Sequence, residues 1–167
     1  NGASEGGAIY SYTQNGATVT VSDNTFDYNY GSFGSAISND GTISLSGNTI
    51  TNPDGYPIGN YYGTITSDVH VTILNNESYS VTSPTVDLFA VVTDDQGNVI
   101  LDKALVFTID GNEVQATYNK NTGQEEATYT LTNPGSYVVS TNTYNNVKTG
   151  KVIFYSSLSS LKDIIDA

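Results

Sequence analysis

The ionisable side chains of this sequence are almost all carboxylates. Seventeen Asp and Glu residues stand against five Lys, one His and no Arg. Enzymes that cleave polysaccharides pair carboxylates on one face and usually add Arg or Lys to neutralise an acidic sugar. The first Lys is Lys103, so residues 1–102 contain neither Lys nor Arg. The sequence therefore predicts a protein that is not an enzyme.

The single histidine, His70, lies in the segment Val-His-Val-Thr-Ile. Its neighbours of the same parity, Asp68 and Thr72, are polar. Strand alternation therefore places His70 on the solvent side of a strand, and we expect it to have no catalytic role.

Several acidic residues stand beside glycines or in predicted turns, where carboxylates and carbonyls are the ligands that calcium prefers. They are Asp40, Asp54, Asp94, Asp95, Glu125 and Glu126. No EF-hand or nonapeptide calcium repeat is present, so solvated turn charge is the favoured interpretation and weak calcium binding the alternative. No other cofactor is expected, and a chain without cysteine has no thiolate metal site.

Tyrosine is abundant, at 13 positions. Four tyrosines, Tyr28, Tyr30, Tyr61 and Tyr62, fall in Gly- and Asn-rich segments. A tyrosine ring offers an apolar face and a polar tip, which suits sugar rings. The four are candidate glycan contacts; the alternative is that the rings pack locally at the ends of a coil.

The sequence offers candidate sites for two covalent modifications. Lys103 and Lys151 are the lysines in strand-like segments that could form an intramolecular bond to Asn, although neither has an apolar surround in sequence. Such a bond would lower the intact mass by about 17 Da, the mass of ammonia. Asn76-Glu77-Ser78 is an N-glycosylation sequon after a predicted strand, so Asn76 is a candidate glycosylation site.

The net charge of −12 limits the classes of partner. A protein that binds nucleic acids or anionic membrane surfaces requires a cluster of basic residues, and the sequence contains none. No apolar run reaches transmembrane length and no signal peptide opens the sequence. Because it starts within a repeat, we expect it to be a piece of a longer chain.

A repeated block organises the first part of the chain. Gly7-Ala8-Ile9-Tyr10 is followed by Ser35-Ala36-Ile37-Ser38, and residues 18–26 by residues 42–50; residues 63–66 form a third copy of 41–44. Offsets of 28, 24 and 22 residues are typical of a solenoid. Val19 should stack near Ile43 and Phe26 near Ile50. Residues 1–67 are therefore predicted to form two to three coils of a right-handed parallel β-helix.

Asn24 and Asn48 occupy equivalent positions at the ends of repeated strands. Such an Asn either forms a ladder with the backbone of the next coil or serves only as a turn residue. The sequence leaves both interpretations open.

After Ser67 the pattern changes to short strands separated by turns every 8–12 residues, which is typical of an antiparallel sandwich. Residues 68–156 are predicted to form an immunoglobulin-like β-sandwich. The predicted strands are 69–73, 86–93, 99–101, 105–110, 114–118, 127–131, 137–143 and 151–155. Alternation along them predicts the inward residues of the sandwich, which are Val86, Leu88, Ala90, Val92, Leu105, Phe107, Ile109, Ala127, Tyr129, Leu131, Tyr137, Val139, Val152 and Phe154.

The tail, residues 157–167, has apolar residues at helical spacing. Leu158, Leu161, Ile164 and Ile165 would form one apolar stripe of a short amphipathic helix. The helix either packs on the sandwich or covers the open end of a β-helix, in which case these four residues are candidate assembly contacts.

The motifs together resemble the adhesin-like surface proteins of methanogenic archaea. The coil segments at residues 7–10 and 19–30 are similar to their β-helix repeats. Residues 91–98, 106–111 and 133–139 are similar to their bacterial-type immunoglobulin-like unit, and the tail to the helix that opens a following β-helix. The second coil departs from the usual Gly-Gly-Ala-Ile, with Gly34-Ser35-Ala36-Ile37. The resemblance implies a cell-surface location, an adhesive or stalk role, and no catalytic residues.

Three functions are therefore expected, in this order. The first is a non-catalytic, adhesin-like surface segment that acts as a stalk and presents a surface to a glycan or protein of another cell. The second is a self-assembling filament subunit, in which the tail of one copy covers the coil of the next, head to tail. The third is a carbohydrate-binding module of a larger enzyme.

Overall fold

A computed structural model describes residues 2–76, 80–156 and 158–167. These residues are mostly β, with one short helix near the end of the sequence. In chain order the strands are β1 Gly2–Ala3, β2 Ile9–Ser11, β3 Val19–Ser22, β4 Thr25–Asp27, β5 Tyr30–Gly31, β6 Ile37–Asn39, β7 Thr42–Ser46, β8 Thr49–Thr51, β9 Ile58–Asn60, β10 Thr64–Ile65, β11 His70–Ile73, β12 Ser80–Val81, β13 Thr85–Thr93, β14 Ile100–Asp102, β15 Val106–Ile109, β16 Asn112–Gln115, β17 Thr117–Asn119, β18 Gln124–Thr130, β19 Gly135–Thr141, β20 Asn146–Lys148 and β21 Gly150–Phe154; the helix is α1 Leu158–Asp166.

The repeated block forms stacked parallel coils. Strand β2 pairs with β6 and β6 with β9; strand β3 pairs with β7 and β7 with β10; strand β4 pairs with β8. The predicted stacking of Val19 on Ile43 and of Phe26 on Ile50 is confirmed by the parallel registers. Equivalent strands of successive coils thus lie in the same ladder, as the repeat offsets predict.

The coils hold together because alternate side chains point inward. Ile37, Ile43, Leu45 and Ile58 are almost fully buried between the ladders. Each buried aliphatic side chain contributes roughly 1.5–3 kcal/mol before the entropy of ordering is subtracted.

The corners of the coils use left-handed backbone conformations that repeat with the coil. Asp23 and Gly47 follow equivalent strands with φ of 56° and 62°, and Tyr28 and Asn52 do so with φ of 52° and 49°. The offset is 24 residues in both pairs, so the two coils turn in the same way.

Asn24 and Asn48 form a ladder, which decides between the two interpretations of the sequence. The Asn48 Nδ2 atom donates to the Val21 carbonyl at 2.8 Å, and Asn48 Oδ1 accepts from the Asn24 backbone N–H at 3.1 Å. The side chain of one coil therefore satisfies the backbone of the preceding coil.

The later part of the chain forms two five-stranded sheets. One has the order β17-β18-β13-β11-β20 and the other β12-β21-β19-β15-β16. Most neighbours are antiparallel; β11 with β20 and β12 with β21 are parallel. The predicted inward residues of β13 and β15 are buried in the core: Val86, Leu88, Ala90, Val92, Phe107 and Ile109.

Three predictions about this region were wrong in detail. The segment 99–101, predicted as a sandwich strand, forms β14 and pairs in parallel with β9, with Ile100 beside Ile58. The segment 114–118 divides between β16 and β17, which lie in different sheets. Glu125 and Glu126, predicted in a turn, lie within β18.

The predicted helix in the tail is present as α1 and lies against β21. Leu161 and Ile164 are half-buried, whereas Ile165 is 63% exposed. The side chain of Leu158 lies outside the described part of the structure. The contact with β21 agrees with packing on the sheets and leaves the proposed assembly role untested.

Candidate functional site

A buried polar ladder joins the coils to the two sheets. Asn39, Asn60 and Asp102 are the last residues of β6, β9 and β14 and stack in register. Asn39 Nδ2 donates to Asn60 Oδ1 at 2.8 Å, and Asn60 Nδ2 donates to Asp102 Oδ1 at 2.9 Å. All three are fully buried. Sequence reasoning missed this ladder.

A signal for the ladder does exist in the sequence. The tripeptides Ile37-Ser38-Asn39, Ile58-Gly59-Asn60 and Ile100-Leu101-Asp102 share an inward Ile followed two residues later by Asn or Asp. Residues two apart on a strand face the same side, so this spacing could have assigned β14 to the coils.

The ladder ends on a second acid from the sheets. The Asp102 backbone N–H donates to Glu125 Oε1 at 2.6 Å, and the Tyr144 hydroxyl donates to Asp102 Oδ2 at 2.5 Å. Glu125 Oε2 is buried and has no hydrogen-bond partner among the described residues. Two carboxyl groups and a phenol thus share one enclosed space.

Burial governs the ionisation of this acid cluster. Loss of solvation raises the pKa of Asp102, although hydrogen bonds from Tyr144, Ala104 and Asn60 oppose the shift. Loss of solvation, with the nearby Asp102 charge, raises the pKa of Glu125 to about 8. Burial and the adjacent carboxylate also raise the pKa of Tyr144. Since Asp102 and Glu125 are at most 1% exposed, the cluster is a junction between elements and offers no surface to a substrate.

Next to this junction, Lys103 lies among aromatic rings. Its Nζ atom is 3.9 Å from the ring centroid of Tyr61, 5.0 Å from that of Phe33 and 5.5 Å from that of Tyr118. The sequence predicted that Lys103 has no apolar surround, and for this residue the prediction was wrong. Phe33 also packs on Tyr61 at 4.2 Å between centroids and covers Gly59, where an added Cβ would lie 2.4 Å from the Phe33 ring. We call Phe33, Tyr61, Tyr118 and Lys103 the aromatic cluster.

The four tyrosines predicted to contact glycans lie in different settings. Tyr61 belongs to the aromatic cluster and is half-buried, while Tyr62 is 75% exposed and lines an open groove of about 400 Å³ beside Lys103 and Tyr118. Tyr28 is 71% exposed and Tyr30 is exposed in β5. No ring contact in the described residues joins Tyr28 or Tyr30 to Tyr61 or Tyr62.

The turn acids hold backbone groups. Asp94 is buried, and its Oδ1 accepts from the N–H groups of Gln96 and Asn98 at 3.0 and 2.8 Å. The Asp95 carboxylate accepts from the Gly47 N–H at 2.9 Å and so fixes this loop to the coils. In residues 2–76, 80–156 and 158–167, no three Asp, Glu, His or Cys side chains lie close enough together to hold a metal ion.

The remaining predicted residues lie as follows. His70 is exposed in β11, in line with the expected solvent side. Asn76 is exposed after β11, but residues 77–79 of its sequon lie outside the described residues. Lys151 is half-buried in β21. Across the described ranges, no helix has the length and apolar character needed to cross a bilayer.

Searches of protein-family models, of curated proteins and of solved structures found no match to this chain.

Proposed function

We propose that this chain is a non-catalytic segment of an adhesin-like protein at the cell surface, which acts as a stalk and presents a contact surface. In this proposal the stacked coils are a right-handed parallel β-helix and the two sheets an immunoglobulin-like sandwich. The observation that carries it is the unbroken parallel ladder β2-β6-β9-β14, in which the fourth strand comes from within the sheet region.

A stalk must transmit force between its parts. Here the connection consists of strand pairing from Ile100 to Asp102 on β9 and of the buried Asn39–Asn60–Asp102 ladder. Separating the two parts would break these hydrogen bonds and expose polar groups that are now paired, which is costly for buried groups. A flexible linker offers no such resistance, so the junction favours a load-bearing role.

Surface display can be tested on the cells that produce the protein. Antibodies raised against the purified chain should label intact cells as strongly as permeabilised cells. A cytoplasmic protein of the same cells, probed in parallel, should be labelled only after permeabilisation. Labelling of this chain that also requires permeabilisation would overturn the proposal.

A filament subunit is the second candidate, and one observation favours it. Within the part of the chain that the structure describes, strands β2, β3 and β4 are each paired on one side only, to β6, β7 and β8. Unpaired strand edges can accept another chain, and a head-to-tail contact of this kind propagates. In this proposal the helix α1 of one copy covers those edges in the next.

Sedimentation of the protein with and without residues 157–167 tests the filament. Polymers should form with the full chain and disappear with the deletion. Replacing the exposed Val138 in β19 by Ser provides a control that leaves α1 intact. Polymers that persist without residues 157–167 contradict the role of α1.

A further inference from the structure

The groove beside the aromatic cluster combines stacking surfaces with hydrogen-bonding groups. Its lining consists of Tyr62, Lys103, Gln115, Ala116, Thr117 and Tyr118. Tyr62 follows β9 and Lys103 follows β14, and the opposite wall consists of residues 115–118, where β16 ends and β17 begins. The Tyr62 ring is largely exposed, and the Tyr118 ring is half-buried. Exposed aromatic faces at an open groove are suited to planar sugar faces.

Lys103 supplies a positive charge without an acidic partner. The one ion pair within the described residues joins Lys162 to Asp166, so no carboxylate lies within 4.0 Å of the Lys103 ammonium. Its position is fixed instead by the three rings of the cluster. In a chain of net charge −12, an ammonium held this way at the wall of a groove is free to pair with an anion.

The lysine is also anchored through its backbone. The Lys103 N–H donates to the Asn60 carbonyl at 3.0 Å, and its carbonyl accepts from Gln115 Nε2 at 2.9 Å. Gln115 Nε2 also donates to the Leu105 carbonyl. Gln115 Oε1 accepts no hydrogen bond from the described residues and can accept one from a hydroxyl group. The groove therefore has a preorganised cation, an acceptor and two aromatic faces.

We propose that this groove binds a carboxylated sugar residue of a surface polysaccharide, stacked on Tyr62 with its carboxylate paired to Lys103. A neutral sugar would stack on the rings but would leave the Lys103 ammonium unpaired. An anion that does not pair with Lys103 would be repelled by the negative net charge of the chain. This inference rests on the proposed function, in which the chain presents a contact surface, and it names the class of ligand that the surface binds.

Titration with tetragalacturonate, followed by NMR or calorimetry, tests the groove. The fully methyl-esterified tetrasaccharide serves as the control, because it keeps the rings and removes the charges. We expect the acid to bind and the ester to bind at least about tenfold more weakly, the loss typical of one charge-assisted hydrogen bond.

Two substitutions locate the binding. Lys103→Gln removes the charge at similar length, and Tyr62→Ala removes an exposed ring without opening the core; each should weaken binding about tenfold. Lys120→Gln and Tyr12→Ala are the matched controls, since both residues are exposed outside the groove, and they should change nothing.

No binding of the acid, equal binding of acid and ester, or binding unaffected by Lys103→Gln and Tyr62→Ala would each overturn the inference. Labelling of intact cells would be unchanged by any of these outcomes. Failure of the ligand assignment is therefore distinguishable from failure of the surface role.

Discussion

Tyr28 is an unusual residue for its backbone position. It follows β4 with φ of 52°, a left-handed conformation that Asn52 adopts at the equivalent corner of the next coil. For residues other than Gly, Asn and Asp this conformation costs roughly 1–2 kcal/mol. A large, 71% exposed ring is thus held at a corner where asparagine would fit with less strain.

Replacing Tyr28 by Asn should therefore raise the free energy of unfolding by about 1 kcal/mol. Denaturant unfolding followed by circular dichroism measures the change. Tyr30→Asn is the control, because Tyr30 is exposed nearby without a left-handed backbone, and it should bring no gain. Equal stability changes in both variants would show that the backbone of Tyr28 is not strained.

Glu125 makes stability depend on pH in a defined direction. Its pKa is raised from 4.5 to about 8 in the folded chain, so the folded state holds the proton more tightly than the unfolded state. Protonated Glu125 therefore contributes to the free energy of unfolding. This stabilisation is fully present below about pH 4.5 and is lost as the pH rises towards 8.

Glu125→Gln mimics the protonated acid and should remove the loss of stability at high pH. We expect the variant to be more stable than the parent at pH 8, by on the order of 4 kcal/mol, and to match it near pH 4.5. Thermal unfolding across that range measures both. The control Glu126→Gln alters a partly exposed acid on the same strand and should leave the pH dependence in place. A parent protein more stable at pH 8 than at pH 5 would contradict the prediction.

At the scale of elements, two asparagine ladders of different burial hold the coils in register. The Asn39–Asn60–Asp102 ladder is fully buried, whereas the Asn24–Asn48 ladder has an exposed member in Asn24. A buried group that loses its partner keeps its desolvation penalty, and an exposed group recovers water.

Asn60→Ala should therefore cost more than Asn24→Ala. Removing the Asn60 amide leaves Asn39 and Asp102 without their contacts to it, at roughly 2–3 kcal/mol, while Asn24→Ala should cost about 1 kcal/mol or less. Chemical denaturation at pH 7 compares the two. Equal costs would mean that burial does not set the strength of the ladders.

Repetition explains why the sequence predicted the coils well. Val19 over Ile43 and Phe26 over Ile50 follow from block alignment, because parallel coils place equivalent residues one above another. The helix α1 was likewise predicted from its local spacing. Strand β14 was assigned to the wrong neighbours, because its apolar character alone does not indicate which sheet edge a short strand joins. The informative signal was the spacing of Ile100 and Asp102, which repeats that of Ile58 and Asn60.

At the scale of the whole molecule, β14 connects the coils with the sheets. Ile100 is 1% exposed and stands beside Ile58, while Asp102 contacts Glu125 in β18. One short strand therefore belongs to the packing of both regions, and we expect the two regions to unfold together.

Ile100→Ala tests this coupling. The cavity should cost about 2–4 kcal/mol, and it should lower the hydrogen-exchange protection of Ile43 in the coils and of Leu88 in the sheets equally. Val138→Ala, at a 60% exposed position in β19, is the control and should change neither. Loss of protection confined to the coils would show that the two regions unfold separately.

The sequence by itself determined the local and repeated features: β structure throughout, coils in register, the inward residues of β13 and β15, and a helix in the tail. These follow from periodicities of two and about 3.6 residues and from repeat offsets, which act over short distances along the chain. The tertiary structure alone decided that Asp102, Glu125 and Tyr144 share a buried space, and that Lys103 lies among Phe33, Tyr61 and Tyr118. These contacts join residues 15 to 70 positions apart, and their partners are chosen by packing and desolvation, which no local pattern encodes.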